Sequence, residues 1–226
     1  MPKEFINIKL IIFDVNETMF SLNSIEKYFL KLGLPKYSAS LWFSNVLKEG
    51  FANSCIGDFH NFKKIAESEF SKLFTIHKLK LNQIHVNLLF RKFSNLKVHN
   101  DILESLLILS KYKIPVVTLT NGSKENTIRL LKNNKISKYV KQCFSIDEIK
   151  IWKPNKKTYL YVCKRMKIKP SNTLMIAAHG WDINGAKNAG LKTGYISRFE
   201  GFLSDIYSKP NFFEKNCLSI IKKIIG

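Results

Sequence analysis

The sequence predicts an α/β protein: a doubly wound parallel sheet with a helical subdomain inserted near its start. Three observations carry this expectation. Four short apolar runs, at residues 9–13, 114–120, 173–178 and 193–197, are each followed by sequence of helical character, the alternation that builds parallel sheets. Between the first two, residues 20–98 show helical spacing and no convincing buried strand, and a stretch of that length is too long for a loop. Polar residues gather at or just beyond the ends of the runs, where open α/β sheets place their chemistry.

Each element has its own reason. Leu10, Ile11, Ile12 and Phe13 are consecutive and apolar, as in a strand buried on both faces. The run stops abruptly at Asp14. Ahead of it, residues 1–5 pass almost directly into the strand with no h-region or cleavage site, so a cytoplasmic location is expected. The inserted stretch repeats apolar residues at helical intervals, first Ile25, Phe29 and Leu32, later Phe59, Phe62, Ile65 and Phe70. The run at 114–120 leads into a helix over 123–134, with Asn121 or Ser123 as its cap. The run at 173–178 leads into a short helix over 182–189, ended by Gly190. Residues 218–225 read as a closing helix, with Ile220, Ile221, Ile224 and Ile225 apolar. The expected division is a core of residues 1–19 and 99–226 and an inserted domain of residues 20–98.

Composition narrows the function. With 226 residues and 45% hydrophobic content the chain can bury a sizeable core. No apolar run approaches the roughly 20 residues of a membrane span, so no membrane partner is expected. The formal net charge is +20, but only Arg91, Arg129, Arg165 and Arg198 are arginines. The lysines are scattered singly or in pairs, and lysine is the poorer group for bidentate phosphate recognition. The charge therefore suggests a general pull on small anions, not nucleic-acid binding. Cys55, Cys143, Cys163 and Cys217 form no CxxC pair, which argues against structural zinc or a disulfide framework. His60, His77, His85 and His99 show no ligand spacing, and no metal is expected from them.

Four polar sites share a position relative to the strands: Asp14 with Thr18, Thr120 with Asn121, Lys153, and His179 with Asp182. In a parallel sheet these ends line one crevice. Asp14 alone could be a metal ligand, a base or a nucleophile. A carboxylate nucleophile needs a cation and hydrogen-bond donors around it. Lys153 can supply the first, and Thr18, Thr120 and Asn121 the second. Gly122 lets the backbone turn closely there. Asp182 could hold Lys153 or orient a hydrolytic water.

This constellation resembles the haloacid dehalogenase superfamily. Asp14-Val15-Asn16-Glu17-Thr18 is similar to its first motif, Leu119-Thr120-Asn121-Gly122-Ser123 to the second, Lys153-Pro154 to the third, and Ala177-Ala178-His179-Gly180-Trp181-Asp182 to the fourth. Within it, the resemblance is closest to the L-2-haloacid dehalogenases of type II, on Thr120-Asn121-Gly122-Ser123, on Tyr159 as the active-site tyrosine, and on Trp181-Asp182 followed by Gly185-Ala186. The resemblance implies a Rossmann-like core with a helical cap, a homodimer, and a two-step hydrolysis without a cofactor. Asp14 would displace halide from a short 2-haloacid, and water would then open the ester to a 2-hydroxy acid. The expected catalytic set is Asp14, Thr18, Thr120, Asn121, Lys153, Tyr159, His179 and Asp182. Substrate contacts are expected from Val15, Asn16, Trp42, Phe43, Asn121 and Trp181. The alternative is a phosphatase of the same superfamily, acting with Mg²⁺ on a small phosphorylated metabolite. In those phosphatases a second Asp, two residues after the first, protonates the leaving group; that position is Asn16 here, and a carboxamide cannot act as general acid or base.

Two departures from the pattern stand out. The dehalogenases carry an arginine early in the cap beside a Leu-Trp pair; here Leu41-Trp42 is followed by Phe43, and no Arg occurs between residues 1 and 90. Lys48 or backbone amides are left to meet a substrate carboxylate, with Phe43 as a dry wall. In the fourth motif the usual Ser and Asn are replaced by Ala177 and His179, and His179 could donate a hydrogen bond or act as a base near neutral pH.

Overall fold

The computed structural model describes residues 7–226; the expected lead-in at residues 1–5 lies outside them. In chain order the elements are β1 (Leu10–Phe13), β2 (Phe20–Ser21), α1 (Asn23–Lys31), α2 (Ser38–Cys55), α3 (Phe62–Ile76), α4 (Gln83–Phe93), β3 (Lys97–Val98), α5 (Asn100–Lys111), β4 (Val116–Thr120), α6 (Lys124–Asn133), β5 (Gln142–Ser145), α7 (Lys156–Met166), β6 (Thr173–Ala177), α8 (Gly180–Asn188), β7 (Lys192–Ile196), β8 (Phe212–Glu214) and α9 (Cys217–Ile225).

One parallel sheet runs β5-β4-β1-β6-β7-β8. The chain builds outward from β1 to β4 and β5 on one side, then crosses to β6, β7 and β8 on the other. β1 therefore lies at the point where the strand order reverses, and the crevice outside its carboxyl end is the default ligand position. All four residues of β1 are fully buried. Ile11 and Phe13 pack into one core layer, Leu10 and Ile12 into the other with Val117, Leu119 and Met175. That is the period of two expected of a strand covered on both faces.

The four expected strands, the helices after the second and third and the closing helix are present, with ends within two residues of those read from the sequence; after the fourth strand residues 197–211 are not helical, and β8 comes before α9. Ser123 is the α6 cap, its Oγ accepting from Asn126 N at 3.1 Å. Two further strands belong to the sheet, β5 and β8. Both are edge strands with a single neighbour, and their sequences, Gln142–Ser145 and Phe212–Glu214, mix polar with apolar residues and so form no apolar run. Within 20–98 no strand is buried along its length, as expected, but two two-residue strands stand at its ends. β2 and β3 pair antiparallel, Phe20 opposite Val98 and Ser21 opposite Lys97, and so clip the two ends of the inserted stretch together.

Between those ends lie α1–α4. Their shared core is aromatic: Phe29, Trp42, Phe62, Phe70 and Phe93 are buried and in ring contact. This layer meets the sheet domain at Gly50 of α2. A Cβ built there would lie 2.5 Å from the Trp152 ring, so only glycine admits the indole. Trp152 is 1% exposed. Its Nε1 donates to His60 O at 3.0 Å, and its ring contacts Phe51 and Phe62. Among the described residues no helix is long and apolar enough to cross a membrane.

Candidate active site

The carboxyl ends of β1, β4 and β6 converge on a buried charge cluster. Asp14 follows β1, its N–H donating to Ile176 O of β6 at 3.0 Å. The chain then turns tightly: Met19 and Phe20 N–H both donate to Val15 O, and Glu17 takes φ +60. The turn brings Thr18 back over Asp14. The Thr18 hydroxyl donates to Asp14 Oδ2 at 2.6 Å and accepts from Ala178 N at 2.9 Å, tying the β1 and β6 ends together.

Lys153 is the centre of the cluster. Its side chain is fully buried, with Nζ donating to Asp14 Oδ1 at 2.8 Å, to Asp182 Oδ2 at 2.6 Å and to Leu119 O at 3.1 Å. Three acceptors satisfy the three ammonium protons. Lys153 N donates to Asn121 Oδ1 at 2.9 Å, so the β4 end places the lysine loop. Tyr159 OH donates to Asp182 Oδ1 at 2.6 Å. The α8 backbone comes close enough for this because residue 185 is glycine: a Cβ there would sit 2.6 Å from Pro154 O and 2.8 Å from Tyr159 OH.

His179 completes the group. It caps α8 without a side-chain capping bond, and it is 3% exposed. Nδ1 lies 3.4 Å from Asp14 Oδ2, close enough for ion pairing. Neither ring nitrogen has a well-directed hydrogen bond. The ring stacks on Trp181 and touches Phe43 and Phe199, with centroids 5.4, 6.1 and 5.2 Å away.

The electrostatics follow from burial and pairing. Burial pushes the Asp14 carboxyl up, but Lys153 and His179 more than reverse this and hold it ionised far below the usual carboxylate range. For Asp182 burial prevails, reinforced by the like charge of Asp14, and its carboxyl is raised in spite of Lys153. Burial disfavours the charged forms of Lys153 and His179, yet the carboxylates outweigh it and raise both. Tyr159 is held far above its ordinary range by burial and by Asp182, and stays a proton donor.

Of the expected site residues, Asp14, Thr18, Lys153, Tyr159, His179 and Asp182 come together in this way. Asn121 is adjacent through its bond to Lys153 N, and its Nδ2 is buried without a partner. Asn16 faces the same end of the sheet, its Nδ2 4.0 Å from where a Gly122 Cβ would stand. Phe43 and Trp181 flank His179 as described, and Lys153 Nζ lies 5.6 Å from the Trp181 ring centre. Thr120 Oγ1 accepts from Gly122 N at 2.9 Å and shapes the turn, a bond that leaves the hydroxyl proton for donation. Two expected substrate contacts are not at the crevice. Val15 is buried in the core, and Trp42 lies within the aromatic core of α1–α4, its Nε1 donating to Ala66 O at 2.9 Å.

Two residues at the site were not anticipated. Phe199 covers His179, and Glu200 accepts from Gly180 N and Tyr195 OH, each at 2.9 Å. Both follow β7, so the strand-end rule, applied to the fourth apolar run as to the others, points to them. Phe43 and Phe199 stand between two cavities. One of about 290 Å³ is lined by His179, Trp181, Leu47, Phe51 and Lys48; the other, of about 560 Å³, by Glu17, Ser21, His99 and Arg198. Arg198 is already engaged: Nη1 and Nη2 donate to the two Asp101 carboxylate oxygens at 2.7 and 2.5 Å.

Comparison with known proteins bears on the family and the fold. A family profile described as haloacid dehalogenase-like hydrolase matches residues 8–190. The (S)-2-haloacid dehalogenase of Pseudomonas fluorescens is 24% identical over 212 residues, 93% of each chain. The (S)-2-haloacid dehalogenase 1 of Pseudomonas sp. (strain CBS-3) is 25% identical over 193 residues, 84% of this chain and 85% of that one. The fold is shared with the L-2-haloacid dehalogenase of Xanthobacter autotrophicus solved with chloropropionic acid covalently bound, at TM-score 0.89 and 17% identity over 97% of this chain and 99% of that one.

Proposed function

Because the chain belongs to the haloacid dehalogenase-like hydrolases, we propose that it hydrolyses the carbon–halogen bond of a short (S)-2-haloacid. Asp14 attacks C2 from the side opposite the halogen, halide leaves, and an Asp14 ester of inverted configuration forms. Water then attacks Cγ of Asp14 and releases the 2-hydroxy acid.

The observation that carries this reading is the state of Asp14. It is buried and ionised, with one oxygen on Lys153 and the other on Thr18, and it therefore keeps a lone pair for attack without needing a base. Asn16 supports carbon over phosphorus as the target, since the amide has no acidic proton for a phosphate ester's leaving oxygen. The aromatic wall of Phe43, Trp181 and Phe199 supplies a dry surface for the alkyl group and halogen. Arg198 is held by two bonds to Asp101, so the substrate carboxylate falls to Lys48 at the cavity wall, whose pairing with Glu49 at 3.1 Å is exposed to solvent, and to the unpartnered Asn121 Nδ2. On this reading the partner is a small anionic substrate, and no cofactor takes part.

Halide release from (S)-2-chloropropionate and from haloacetates, with EDTA present, tests the proposal. Asp14→Ala should abolish release. Release at the wild-type rate from that variant, or activity confined to phosphate esters with Mg²⁺, would refute it.

A further inference from the structure

Resting on the ester mechanism just given, we propose that His179, not Asp182, is the general base that activates the hydrolytic water. Asp182 is poorly placed for this work. Its side chain is fully buried, and each oxygen already accepts a 2.6 Å hydrogen bond, from Lys153 or from Tyr159. Neither His179 ring nitrogen holds a well-directed hydrogen bond, and Nδ1 lies 3.4 Å from the Asp14 oxygen that it pairs with. A base at that range reaches Cγ of Asp14 through one water. Access points the same way. The cavity of about 290 Å³ is lined by His179 and by none of Asp14, Lys153 or Asp182, so water entering from it meets the imidazole first.

The first step creates the base for the second. The ring faces Asp14 and Glu17 from the turn after β1, Asp182 from its own helix, Glu200 from the segment after β7, and Lys48 across the cavity. Lys153 lies on the far side of Asp14 and under Trp181. While Asp14 is ionised, the imidazolium is favoured. Alkylation removes the nearest negative charge, and burial then favours the neutral ring.

The atoms balance. In the first step the C–halogen bond breaks as the Asp14 O–C2 bond forms; halide leaves, and the His179 proton passes to solvent. In the second, water gives a proton to His179 and its oxygen bonds to Cγ of Asp14. The Cγ–O bond to the alkyl group then breaks. The alkoxide takes the proton of the new Asp14 carboxyl, which restores the Asp14 carboxylate beside a protonated His179. The sum is haloacid plus water giving hydroxy acid, halide and one proton.

The test follows halide by stopped flow and the protein by intact mass, with (S)-2-chloropropionate. In His179→Gln and His179→Asn we expect a burst of about one halide per site, accumulation of the Asp14 ester, and turnover slowed by at least about a hundredfold. Turnover near the wild-type rate with no ester at steady state would overturn the proposal. A measurement on the unmodified protein needs no variant to fold: ester decay after a single turnover should rise with pH through one group between about pH 5 and 8. A flat profile over that range would overturn the assignment. If the unmodified protein releases no halide from any 2-haloacid, the dehalogenase reading itself falls, and the assignment with it; that outcome is distinct because it precedes any ester.

Discussion

Replacing Lys153 by methionine keeps most of the side-chain volume and removes only the charge and its three hydrogen bonds. Two of those bonds reach carboxylates in a site where Lys153 and Asp182 are fully buried and Asp14 nearly so. Hydrogen bonds to charged groups contribute about 1.5–3 kcal/mol each, and breaking one partner out of a buried ion pair costs about 3–5 kcal/mol. We therefore expect a loss of about 3–5 kcal/mol near pH 8. In a chain of this size that is a fall in Tm of roughly 6–20 °C. The pH dependence is the sharper test. In the unmodified protein Asp14 is depressed, so its contribution is present above the unfolded carboxyl value of about 3.9 and is lost only as pH falls through the folded value. Lys153 is raised, so its contribution is present below its unfolded value and is lost as pH rises through the folded one. The contributions of Asp14 and Lys153 are thus constant across neutral pH, whereas that of His179, which is raised, is present below its unfolded value and is lost as pH rises through the folded one. In Lys153→Met, burial and mutual repulsion raise the Asp14–Asp182 pair, with only His179 left to offset one charge. A raised carboxyl weakens the fold as pH climbs above about 3.9. Calorimetry at pH 8 and pH 5 should show the deficit shrinking at the lower pH. A deficit that is equal at both, or larger at pH 5, would refute the account of the cluster.

Thr18→Val removes the 2.6 Å bond to Asp14 and leaves Ala178 N–H without its acceptor. A loss of about 1–3 kcal/mol is expected in urea unfolding, together with slower halide release. Gly185→Ala places a methyl 2.6 Å from Pro154 O, a backbone atom that cannot rotate away. It should cost about 1–3 kcal/mol by overpacking and lower kcat more than it raises KM, because the displaced group is the Lys153 loop.

How legible this molecule is depends on where a residue's signal comes from. Strand β1 and its neighbours announce themselves because burial on both faces leaves only apolar residues, and Asp14 stands out against that run. β5 and β8 are hidden because an edge strand of a few residues needs no such run. Lys153 is legible only through its place among the other polar sites and its motif, since nothing local distinguishes it from the many other lysines. Trp42 and Phe43 show the limit of adjacency. Successive helical residues point about 100° apart, so Phe43 faces His179 while Trp42 turns into the core of α1–α4. Val15, on the turn after β1, has its side chain in the core. Phe199 and Glu200 carry no motif and are found by position alone.

Trp152 immediately precedes Lys153, and the space that receives its indole is made by the missing side chain at Gly50. Any hinge motion that lifts α2 away must bring that indole into water, while Trp42 stays enclosed by its own helices. The indole next in sequence to Lys153 is thus an internal optical gauge of that motion, read from Trp152 emission once Trp181, at the wall of the His179 cavity, is replaced by phenylalanine.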